Sequence, residues 1–180
     1  KPGTAEFQQN ILTAAQITVE NTVTYDSKSY VLESVDSRDK TVTADAANNV
    51  VKVYYAVDVI GPEGPDNIPD KYQREVTYKV DKGGWNDKTG AAAKADVTEV
   101  VTLKTNGELD VNGTAVLNAP AVGSNPDTGY KAGSWAPALP ATFTKTSPVE
   151  YTYTYVKNSY GYTVEYYFDG TKATTGNFAP

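Results

Sequence analysis

Asp58, Glu63, Asp66 and Asp70 bring four carboxylates into one short stretch. A hard cation such as Ca²⁺ takes about six to eight oxygens from groups of this kind. Their spacing has no EF-hand register, so the plainer reading is a solvated, charged segment. Trp85, Trp135 and the row Tyr151, Tyr153 and Tyr155 offer flat apolar faces of the sort that stack on sugar rings. An aromatic row at period two is also what the buried face of an antiparallel sheet looks like, which assigns Trp135 and the three tyrosines to a core. Trp85 follows Gly83 and Gly84 in a turn-forming stretch, and is the better candidate for an exposed glycan contact. An intramolecular Lys–Asn isopeptide bond would need a Lys, an Asn and a carboxyl group together in a dry core. Lys52 and Lys79 alternate with apolar neighbours and are expected to face solvent, against that chemistry. Asn112-Gly113-Thr114 matches a glycosylation acceptor, and its plainer reading is a turn.

None of these residues assembles into a catalyst. The 180 residues include no His and no Cys, which removes the commonest general base, thiolate chemistry, disulfides and the usual structural zinc ligands. The expectation is a protein that is not an enzyme and needs no cofactor or metal. A net charge of −6 with no basic run argues against nucleic acid, because phosphate binding needs clustered Lys and Arg. No apolar stretch approaches the length of a membrane span, so this segment is not expected to insert into a bilayer.

The elements that must position these side chains read as strands. In the stretch 51–58, Val51, Val53, Tyr55 and Val57 fall on one face and Lys52, Tyr54 and Ala56 on the other. From 72 to 81 the same period sets Tyr72, Arg74, Val76, Tyr78 and Val80 against Gln73, Glu75, Thr77 and Lys79. Val149, Tyr151, Tyr153 and Tyr155 form a third stripe, and Tyr162, Val164, Tyr166 and Phe168 a fourth. Further strands are expected over 22–25, 29–34, 40–43 and 97–104. Helix propensity is confined to residues 4–15 and the Ala-rich stretch 90–97. Asn106-Gly107, Asn112-Gly113 and Asp169-Gly170 supply turn residues tolerant of positive φ. The chain is expected to be mainly β (α+β), with 14 Tyr, 4 Phe and 2 Trp supplying the bulk of small, thin cores.

Pro62, Pro65 and Pro69, with Gly61 and Gly64, mark the sharpest break in composition. Proline fixes φ and disfavours helix, so residues 59–70 are expected to form a semi-rigid extended linker, spanning roughly 35 Å if fully polyproline-like. The expected domains are therefore 1–58, the linker 59–70, 71–158, and a tail, 159–180.

Two segments carry a family resemblance. Residues 17–58, "ITVENTVTYDSKSYVLESVDSRDKTVTADAANNVVKVYYAVD", resemble the closing two-thirds of a MucBP-like (mucin-binding-protein-like) repeat of Gram-positive cell-surface proteins. That family opens with a strand of the type "YTVEYYFDG", which here comes last, at 162–170. Residues 72–157, with "GYKAGSW" at 129–135 and the Tyr-alternating strand after it, are similar to the SHIRT-type repeat of Firmicute adhesins. The resemblance implies two small tandem β-grasp-like modules in an elongated array, displayed outside the cell on a wall-attached surface protein. Residues 1–58 then read as a MucBP-like module lacking its first strand. The segment 162–169, through Tyr162, Val164, Tyr166 and Phe168, reads as the first strand of a following or a partner's module.

The implied function is structural: a repeat of a bacterial surface stalk or fibre in which antiparallel strands transmit tension. The strand at 162–169 would join copies head-to-tail, covalently or between subunits. A sheet lacking a strand exposes unpaired backbone groups along an edge, and those groups are a template for strand addition. The alternative is an adhesive module that binds host glycan or protein through exposed aromatics, Trp85 first among them.

Overall fold

The computed structural model describes residues 19–36, 44, 45, 47 and 50–173. Strand alternation becomes a sheet first in β1 (Thr22–Tyr25), β2 (Lys28–Asp36) and β3 (Lys52–Val57), an antiparallel meander with β2 in the middle. Asp26 and Ser27, at φ of 48° and 61°, make the tight turn between β1 and β2. Register places Val23, Tyr30 and Val57 opposite one another, and Leu32 opposite Tyr55, so these side chains share the apolar face foreseen for Val53, Tyr55 and Val57. A bulge between Leu32 and Ser34 shifts the pairing by a residue, and Val35 again faces Val53. The expected strand at 40–43 and helix at 4–15 lie outside the described residues.

The larger sheet is built from β4 (Gln73–Asp81), β5 (Val97–Thr102), β8 (Tyr130–Ala136) and β9 (Glu150–Lys157), in the order β5-β4-β9-β8. β4 pairs antiparallel with β5, and β8 antiparallel with β9. The two central strands, β4 and β9, run parallel, with Tyr78 opposite Tyr151 and Val80 opposite Tyr153. The antiparallel strands expected from the sequence are thus joined by one parallel pair at the centre of this sheet. Alternation reports which face a side chain takes and is blind to strand direction. Between β5 and β8 lie a two-residue hairpin, β6 (Lys104–Thr105) and β7 (Glu108–Leu109), and long irregular segments. The hairpin closes on Asn106-Gly107 at positive φ, as expected. Gly113 differs: it is absent from the positive-φ positions, and an added Cβ there would lie 2.5 Å from the Lys104 backbone carbon. The Ala-rich stretch forms only a short 3-10 helix, Gly90–Lys94.

The core lies on one face of this sheet. Val76, Tyr78, Trp85, Val101, Leu103, Phe143 and Tyr151 form one buried cluster, with Leu117, Trp135 and Leu139 packed against it. The irregular segments therefore serve as the second layer, and their backbone polar groups are met locally: Ala115 and Phe143 exchange N–H···O bonds of 3.0 and 2.8 Å.

Residues 59–70 are not the extended spacer expected from their prolines. The Asp58 carboxylate, 1 % exposed, accepts the N–H groups of Asp66 (3.1 Å) and Asn67 (2.9 Å). Asp70 accepts those of Val59 (2.8 Å) and Ile60 (2.9 Å) through one oxygen. The chain is thus folded into a loop closed at both ends by aspartate, and the carboxylates of Asp58 and Asp70 are spent on backbone donors. Gln73, assigned to a polar face by alternation, is 2 % exposed because this loop covers it, its Nε2 donating to Asp66 at 2.7 Å. Lys71 reaches from the far side of the loop to Glu33 on β2.

Candidate functional site: a parallel strand clamp and an exposed tail

The parallel pair β4–β9 is held from Thr77 opposite Glu150 to Asp81 opposite Thr154, and Thr77 N–H also reaches Val149 O at 2.8 Å. Side chains reinforce it on both faces. On the outer face Lys79 Nζ meets Glu150 Oε2 at 2.7 Å, and this bond raises the lysine's pKa. On the inner face Tyr78 stacks on Tyr151 with centroids 6.2 Å apart, and Trp135 meets Tyr78 and Tyr153 edge-on at 5.8 and 5.4 Å. Tyr151, Tyr153 and Tyr155 are 0, 6 and 1 % exposed, so the stripe is core.

Buried tyrosine needs partners for its hydroxyl, and here the partners tie distant loops to the sheet. Tyr155 Oη donates to Gly84 O at 2.9 Å and accepts the N–H groups of Gly123 (2.9 Å) and Asn125 (3.2 Å). Tyr153 Oη accepts from Gly133 N–H at 2.9 Å. Tyr78 donates to Glu99 Oε2 at 2.6 Å, and burial, then this carboxylate, push its pKa far above the ordinary phenol value. Burial also raises that of Tyr151, whose hydroxyl finds no protein partner.

The "GYKAGSW" segment owes its spacing to β8. Gly133 sits where the β8–β9 register shifts, and a Cβ there would come within 1.8 Å of Thr154 O. Trp135, two residues on, enters the core. The glycine thus permits the close approach of backbones that puts the indole on the tyrosines.

Trp85 is the clearest correction. It is fully buried, stacks on Trp135 at 6.2 Å and donates from Nε1 to Ala95 O at 2.7 Å. Gly83 and Gly84 are there because the backbone passes under Tyr155 and Ala93, not to expose the following residue: a Cβ on Gly83 would lie 2.4 Å from the Tyr155 ring. An enclosed indole offers no platform for a sugar.

The tail is exposed. Tyr162 is 82 % exposed, Val164 50 % and Phe168 58 %, while Tyr166 is half-buried. The strand expected over 162–169 is reduced to β10 (Tyr167–Phe168), which turns through Asp169-Gly170 and pairs with β11 (Thr171–Lys172). Residues 162–165 belong to no strand among the described residues, and Tyr166 O accepts the Ala173 N–H at 2.8 Å, continuing the hairpin. The structure therefore brings none of Tyr162, Val164, Tyr166 and Phe168 into the β1–β2–β3 sheet.

Among the described residues no group of His, Cys, Asp or Glu is placed to hold a metal ion, and no helix is long and apolar enough to cross a membrane. No family model, curated protein or solved structure matches the chain.

Proposed function

We propose that the chain is a load-bearing structural repeat of a bacterial cell-surface stalk or fibre, displayed outside the cell on a wall-attached protein. In this reading residues 1–58 and 71–158 are two small tandem β-grasp-like modules joined at 59–70, and the strand 162–169 links copies head-to-tail. The observation that carries the reading is the parallel pairing of β4 with β9. β4 opens the larger sheet's segment of chain and β9 closes it, so tension enters at the start of one and leaves at the end of the other. In a parallel pair those two points lie at opposite ends. Load is then shared along the row of inter-strand hydrogen bonds, which must yield together, whereas a pair pulled from one end opens bond by bond. The aspartate-closed loop at 58–70 suits the same task, since it passes tension into β4 through a fixed joint. The likeness to MucBP-like and SHIRT-type repeats supplies the cellular setting.

Pulling the full chain between its two ends in a single-molecule instrument tests the reading. The expected trace has one discrete rupture from the larger sheet, and extension at low force with no such event would contradict it. The adhesive alternative loses its best aromatic with Trp85 enclosed, and would have to use other exposed aromatics such as Tyr25 on β1 or Tyr162 in the tail, 74 and 82 % exposed. A glycan array separates the two readings: the structural one expects no specific binding.

A further inference from the structure

The larger sheet contains a strand that has no counterpart among the described residues of the smaller one. In the former, the closing strand β9 lies between β8 and the parallel opening strand β4; in the latter, the closing strand β3 has β2 on one side and, among the described residues, no strand on the other. The tail repeats the pattern of β4. Val76-Thr77-Tyr78-Lys79-Val80-Asp81 corresponds to Val164-Glu165-Tyr166-Tyr167-Phe168-Asp169, with Val, Tyr, an apolar residue and Asp at the same spacing. The closing strands correspond too, since β9 begins at Glu150 after Val149 and β3 begins at Lys52 after Val51.

We infer that residues 164–169 of a second copy of this chain add to the open edge of β3, parallel to it, with Glu165 opposite Lys52, Tyr166 opposite Val53 and Phe168 opposite Tyr55. The register is that of β4 on β9, where Thr77 faces Glu150, Tyr78 faces Tyr151 and Val80 faces Tyr153. Two consequences agree with it. Tyr166 and Phe168 fall on the same face as Val53 and Tyr55, extending the apolar row that runs through Tyr30 and Val23. Glu165 comes opposite Lys52, which places unlike charges side by side where β4 and β9 have the Lys79–Glu150 pair on the same face of their sheet. The β10–β11 hairpin keeps its own pairing, giving the order β11-β10-β3-β2-β1 to match β5-β4-β9-β8. In the single chain Glu165 is instead held by Lys172 and the Tyr167 hydroxyl, contacts that docking exchanges for Lys52. The inference rests on the head-to-tail part of the proposed function and adds the receiving edge, the direction and the register.

The absence of native cysteine makes the test direct. Full-length Lys52→Cys is mixed with full-length Glu165→Cys under mild oxidation, beside a control mixture of Lys52→Cys with Tyr162→Cys, which is out of register and on the opposite face. The expected result is a disulfide-linked heterodimer forming at least about tenfold faster in the first mixture, because only opposed residues bring their Cβ atoms within bonding range. Equal rates in the two mixtures would overturn the register. A Lys52→Cys/Glu165→Cys double variant that closes on itself at high dilution, with no inter-chain product when concentrated, would overturn the second copy as donor. Either failure leaves the pulling experiment on the larger sheet untouched, so the inference and the load-bearing reading fall separately.

Discussion

One oxygen, Tyr155 Oη, serves three backbone groups, those of Gly84, Gly123 and Asn125. Tyr155→Phe leaves the ring in place and strands these groups in a buried setting, so a loss of about 1–3 kcal/mol is expected in denaturant unfolding. Tyr151→Phe tests the opposite case. Its hydroxyl is buried without a protein partner, so its removal is expected to be neutral or to stabilise by up to about 1 kcal/mol. Tyr78, like Tyr151, makes the fold sensitive to alkali. Its folded pKa lies far above that of an unfolded tyrosine, so the unfolded chain loses the proton first as pH rises. The stability it contributes is complete below about pH 10 and declines above that. Tyr78→Phe is therefore expected to flatten the fall in unfolding free energy between pH 10 and 12, roughly, in a titrated denaturation series. Trp85→Ala is expected to cost about 3–5 kcal/mol, as befits a core indole.

At the level of elements, period-two patterning locates β3, β4 and β9, and strands are also expected where β1, β2 and β5 form. What it missed has physical causes. Direction is invisible to alternation, so the parallel β4–β9 pair is legible only in the folded chain. A Gly-Gly pair reads as an exposed turn and so points Trp85 outward, whereas these glycines make room for Tyr155 and Ala93. β8 was hidden by its bulge at Gly133, which breaks the pattern that would announce a strand. The prolines of 59–70 suggest an extended segment of solvated charge, whereas its aspartates close it on backbone N–H groups that the sequence does not mark. Asp58→Ala removes the acceptor for two of those groups. The expected outcome is a loss of about 1–3 kcal/mol, with faster amide exchange at Asp66 and Asn67. Lys71→Ala, which breaks an exposed ion pair to Glu33 and a cation–π contact with Tyr72, is expected to cost about 1 kcal/mol or less.

For the whole molecule, the two sheets have unequal tasks. The larger one has its aromatic core, its parallel clamp and its loops tied to tyrosine hydroxyls. The smaller one is a three-stranded meander whose closing strand keeps an edge open among the described residues, while the tail bears the repeat of β4. Head-to-tail association through that tail predicts concentration-dependent oligomers by light scattering, lost on deletion of residues 161–180. In the proposed fibre a net charge of −6 per copy opposes side-by-side contact, so lateral clustering is expected to increase with salt. The claim that matters most is that the geometry of β4 and β9 resists tension, and it is tested by pulling the same full-length chain in two ways. Handles at Lys71 and Asn158 load the parallel pair from opposite ends; handles at Lys82 and Asn158 load it from the same end. The account predicts a rupture force clearly higher for the first pair of handles than for the second. Equal forces in the two geometries would contradict it.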